Sequence, residues 1–138
     1  MRFVKTRNEK SLGDLKLEDF EEGMYLMDDN TLMDIVFTDN CEDLLADPYD
    51  DPDRFEEDVR TAAKMFGVKK KDLTDGDDWT NVGTLYYDHY SLNGELLDEG
   101  GDYLCCYLET FEHYSKRNLN GVLPVKRIPE DEAERIRV

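Results

Sequence analysis

Carboxylates are the groups in this chain with the most chemical potential: 34 Asp and Glu stand against 17 Lys and Arg. Their spacing decides whether they can hold a metal ion or move a proton. Asp72-Leu73-Thr74-Asp75-Gly76-Asp77-Asp78 has the density of a calcium loop. An EF-hand places glycine at the sixth position and oxygen ligands at the first, third and twelfth. With Gly76 sixth, those positions fall on Lys71, Leu73 and Val82, so the segment reads as a solvated turn. The two histidines, His89 and His113, are too scattered for a zinc site, and no Cys-x-x-Cys or His-Glu-x-x-His spacing occurs. Glu109 and His113 would share a face only if their segment were helical.

Nucleophilic chemistry fares no better. The cysteines are Cys41 and the vicinal pair Cys105 and Cys106, which lies in an apolar stretch where thiols are inert core residues. Their odd number argues against a disulfide framework, and neighbours on a strand point to opposite faces. Pro52-Asp53 could open a nuclease pattern, but no Asp/Glu-x-Lys follows it, and Gly100-Gly101 sits between acids that would oppose a phosphate. No catalytic residue, metal ligand set or cofactor is expected, and the chain reads as a non-enzyme.

Ala62 to Leu73 resembles the first helix and turn of a helix-turn-helix. The acidic run from Asp75 to Asp78 leaves no room for a recognition helix and would repel DNA. Lys64 and Lys69 to Lys71 are instead placed to complement a helix C-terminus.

The elements that must position any site read as one α+β domain spanning residues 1–138, with an antiparallel sheet of about five to six strands. The main helix is expected at residues 51–66, with Asp51 as N-cap, Pro52 in the first turn and Gly67 beyond the end. Phe55, Val59, Ala62, Ala63 and Phe66 form its apolar stripe. Short helices are expected near residues 15–22, stopped by Gly23, and 129–136, opened by Pro129. Strands are expected at residues 3–6, in a hairpin around Asp28-Asp29-Asn30, and from Val82 to Leu92, turning at Asn93-Gly94 into a return strand from Glu95. Tyr103 to Phe111 is a candidate central strand, and Val122 to Ile128 an edge strand because of Pro124.

Charge is distributed in blocks. Residues 14–58 hold eighteen acidic and two basic residues, and residues 72–113 hold eleven acidic and none basic. Between them residues 59–71 hold five basic and no acidic residues. A net charge of -17 disfavours direct binding to nucleic acid or an acidic membrane, because phosphate binding needs cations to displace counterions. It favours a basic protein surface. With no apolar run long enough to span a bilayer and no secretory core at the N-terminus, the expected location is the cytoplasm.

Rows of Asp and Glu can occupy the groove in which a nucleic-acid-handling protein holds its phosphates. In size and charge the chain resembles the phage and mobile-element inhibitors that include antirestriction proteins, anti-CRISPR proteins and uracil-DNA glycosylase inhibitors. It is equally similar to small acidic immunity proteins that neutralise nuclease toxins. That resemblance implies nucleic-acid mimicry. The expected contact residues are Asp47, Asp50, Asp51, Asp53, Glu57 and Asp58 around the helix start, with Asp75, Asp77, Asp78 and Trp79 on the following loop. The alternative is a non-mimic module that docks a partner through an apolar or aromatic patch, its acidity serving solubility.

Overall fold

The computed structural model describes residues 12–37, 46–74, 81–98, 100 and 103–137. The strand expected at residues 3–6 lies outside them, as does Cys41. Alternation of apolar residues builds a six-stranded antiparallel sheet from β1 (Gly23–Met27), β2 (Leu32–Phe37), β3 (Val82–Tyr90), β4 (Leu96–Asp98), β5 (Tyr103–Cys106) and β6 (Pro124–Arg127). The order is β4-β3-β2-β1-β6. β5 pairs with β3 from Val82 to Leu85, whereas β4 pairs with its far end at His89 and Tyr90, so both occupy one edge of β3. Four helices among the described residues complete the α+β fold: α1 (Pro52–Phe66), α2 (Lys70–Leu73), α3 (Phe111–Asn118) and α4 (Glu130–Arg137).

The two turns that order the sheet follow from residue type. Asn30 adopts φ 63 between β1 and β2, a conformation asparagine tolerates, while Asp29 accepts from the Thr31 amide at 3.1 Å. Gly94 adopts φ 85 in the β3–β4 turn. Pro124 sits at the start of edge strand β6, where its missing N–H breaks no ladder.

Each sheet face has its own core. On one face Met33, Ile35, Leu85 and Tyr87 pack beneath Phe111 and Tyr114 of α3 and Leu17 and Phe20 of the N-terminal segment. On the other, the apolar stripe of α1 (Val59, Ala62, Ala63 and Phe66) covers Val82 and Cys106 at one end. Ala133 of α4 covers Met24, Leu32 and Tyr90 at the opposite end. Phe66 is 1 % exposed, and truncating such a residue to alanine removes about 3–5 kcal/mol. Cys105 belongs to the first core and its neighbour Cys106 to the second, as strand alternation requires.

Two expected elements differ. Residues 15–22 do not form one helix; 3-10 turns at Leu12–Asp14 and Leu17–Asp19 take its place, and Gly23 opens β1. The Leu17 and Glu18 amides donate instead to the carbonyls of Glu109 and Tyr107, so a neighbouring segment outcompetes the helix for its donors. The candidate central strand 103–111 is a four-residue edge strand followed by a turn and α3. There the Thr110 hydroxyl accepts from the His113 amide at 3.1 Å, an N-cap that ends the extended run. No helix among the described residues is long and apolar enough to cross a membrane.

Candidate partner-binding surface

The loop before α1 is shaped by its own carboxylates. Asp47 accepts from the Tyr49 amide at 2.8 Å, and its carbonyl accepts from the Asp51 amide at 2.9 Å. Asp51 caps α1 by accepting from the Arg54 amide at 3.2 Å, ahead of Pro52 in the first turn. Asp58, about two helical turns further along, accepts from the Ala46 amide at 3.0 Å and ties the loop back to the helix. Three of the six acids expected here as contact residues are therefore partly engaged in holding the backbone.

The other three, Asp50, Asp53 and Glu57, are exposed and have no ion pair among the described residues. Asp53 and Glu57 lie one turn apart on the solvent side of α1, opposite the buried stripe. Glu56 beside them meets Arg60 at 3.8 Å with both side chains largely exposed, a pairing that stabilises by well under 1 kcal/mol. Tyr49 stands amid these acids at 75 % exposure. The sequence reading missed it; its signal was an aromatic residue between Pro48 and two aspartates on a turn. Asp75, Asp77, Asp78 and Trp79 lie outside the described residues.

A second polar constellation lies at the start of α3, where Glu109, just before the Thr110 cap, and His113 in the first turn come together although Glu109 itself is not helical. Glu109 is 3 % exposed. Its Oε2 lies 2.8 Å from His113 Nδ1, and its Oε1 accepts from Arg117 Nη2 at 2.6 Å. Burial raises the Glu109 pKa, opposed by the Arg117 charge and the His113 hydrogen bond. Arg117 also donates to the Leu104 carbonyl at 3.2 Å, so the cluster clamps α3 to β5. Cys106 lies against it, but burial pushes that thiol up to about 11, leaving it protonated and weakly nucleophilic at neutral pH. Among the described residues, no three His, Cys, Asp or Glu side chains are grouped to hold a metal ion.

A third surface lies on the sheet itself. Val36 and Tyr86, paired across β2 and β3, are 46 % and 39 % exposed, and Leu96 and Leu97 on β4 are exposed as well. Comparison with family models, with curated proteins and with solved structures yields no match for this chain.

Proposed function

We propose that this protein is a cytoplasmic, non-enzymatic inhibitor that binds the basic, nucleic-acid-binding surface of a partner and blocks it with carboxylates in place of phosphates. The observation that carries the reading is the exposed trio Asp50, Asp53 and Glu57 around Tyr49. Exposed carboxylates at a helix start, with no cation paired to them among the described residues, are placed to meet Lys and Arg, and an exposed tyrosine supplies apolar contact area at small entropic cost. The functional class is that of the antirestriction, anti-CRISPR and glycosylase-inhibitor proteins of phages and mobile elements, or of immunity proteins against nuclease toxins.

Capture of the partner from the native host tests this. Wild-type protein on beads retains a nucleic-acid-handling protein at about 50 mM salt and releases it at about 500 mM, because exposed charges are screened over about 10 Å at 0.1 M. Added duplex DNA or RNA competes for the captured protein. Combined Asp50→Lys, Asp53→Lys and Glu57→Lys removes capture while the protein stays folded. A complex indifferent to both salt and nucleic acid would sink the reading.

One observation favours the alternative of docking through an apolar patch, with acidity serving solubility: the exposed cross-strand pair Val36 and Tyr86. Contacts centred there would survive charge reversal on α1 and high salt alike.

A further inference from the structure

The sheet face that carries α1 and α4 is covered at its two ends and open between them. α4 lies over Leu32 and Tyr90, and α1 over Val82 and Cys106. In the gap, the cross-strand pairs Asp34–Asp88 and Val36–Tyr86 occupy adjacent rows of the same face. With Tyr87 and Gly100 they line a hollow of about 180 Å³. Small-molecule sites run to roughly 300–1,000 Å³, so this one suits a single side chain.

Its floor is apolar and its end is acidic. Asp34 and Asp88 face each other directly, an arrangement that is destabilising for like charges. Asp34 is neutralised from within: Arg137 Nε and Nη2 each donate to one of its oxygens at 2.8 Å. Asp88 accepts only a long bond from the Gly100 amide, 3.3 Å, and no cation pairs with it among the described residues. Glu22, on the β1 side of Val36, spends a carboxylate oxygen on the Phe37 amide. Among the described residues, the hollow therefore holds one carboxylate that no cation compensates, beside an exposed aromatic ring.

We infer that this hollow receives an arginine side chain presented by the partner protein, with its guanidinium on Asp88 and Tyr86 and its aliphatic stem along Val36. A planar guanidinium can bind a carboxylate through two donors and stack on an aromatic face; an ammonium supplies the charge without the plane. A neutral apolar side chain would strip water from Asp88 without pairing it, and an anion would meet two carboxylates. The fold already uses the same chemistry one strand away, where Arg137 grips Asp34. The assignment rests on the partner being a basic protein, but not on the acidic trio of α1.

The test is a titration of isotope-labelled protein, followed by amide NMR, with acetyl-Gly-Arg-Gly-amide and its lysine and citrulline counterparts. Saturable shifts at Val36, Tyr86 and Asp88 are expected with the arginine peptide, severalfold weaker binding with lysine and none with citrulline. Asp88→Asn lowers the affinity about tenfold, the scale of one charge-assisted hydrogen bond. Tyr86→Leu keeps an apolar floor and weakens arginine binding severalfold by removing the ring. Equal response to arginine and lysine, or no shift on β2 and β3, overturns the assignment. Shifts confined to residues 47–58 overturn it too while leaving the acidic trio as the binding face. Capture that ignores charge reversal on α1 defeats the mimicry reading and leaves the peptide result untouched.

Discussion

Arg117 joins the two cores of the protein: its guanidinium meets the buried carboxylate of Glu109 at 2.6 Å and lies over the ring of Phe66 on α1, 5.0 Å from its centroid. Glu109 lies just before the Thr110 cap of α3, which packs beneath one sheet face, while Phe66 belongs to the core of the other. Removing one partner of such a pair strands a buried charge, whereas removing both can be nearly neutral. Arg117→Met is expected to destabilise by about 3 kcal/mol or more, Glu109→Gln by less, and the double variant by clearly less than their sum. Urea denaturation of all four proteins measures that coupling, and additive losses would show that the pair does not interact.

The same carboxylate sets a pH dependence. Burial raises the folded-state pKa of Glu109, so the folded protein holds that proton more tightly than the unfolded chain. The resulting contribution to stability is fully present below the ordinary glutamate pKa and is lost as pH rises through the raised value. Stability of Glu109→Gln, compared with wild type across pH 4 to 8, should lack that decline. A wild-type curve that rises more steeply than the variant's over the same window would contradict it.

Acids that hold the α1 loop separate from acids that face solvent by their effect on stability. Asp51→Ala removes the cap on Arg54 and is expected to lose about 1 kcal/mol, with Asp51→Ser retaining most of it. Asp50→Asn and Glu57→Gln should stay within about 0.5 kcal/mol of wild type. Thermal unfolding distinguishes the two groups, and a cap variant as stable as wild type would remove Asp51 from the structural set.

The vicinal cysteines give a fourth test. Cys105 and Cys106 are fully buried, and the Cys106 thiol is further suppressed by its pKa of about 11. In a Cys41→Ser background neither should react with iodoacetamide in the native protein at neutral pH, and both should react once urea unfolds it. Rapid native labelling at either position would show an accessible thiolate.

What could be read before the structure depended on how local the signal was. α1 is legible because its cap, proline, stripe and closing glycine all lie within its own segment, and Asn93-Gly94 marks its hairpin for the same reason. α3 carried a local signal that the strand-forming run from Tyr103 masked: Thr110 as cap and Phe111 with Tyr114 one turn apart. The broken helix at residues 12–19 could not be read locally, since its amides are satisfied by carbonyls about ninety residues away. Among candidate contact residues, the sequence located the acids but not which of them hold the loop, because that depends on where Ala46 and Tyr49 place their amides. The hollow at Val36 and Tyr86 had no sequence signal, as it exists only because two helices distant in the chain leave a gap between them.

The shared edge of β3 has a mechanical consequence. β4 and β5 meet that strand at opposite ends, and among the described residues no ladder joins them along the edge. β4 is three exposed residues long, whereas β5 ends in two buried thiols. The edge can thus open at β4 while β5 stays zipped to Val82, and hydrogen exchange should be faster along β4 than along β5.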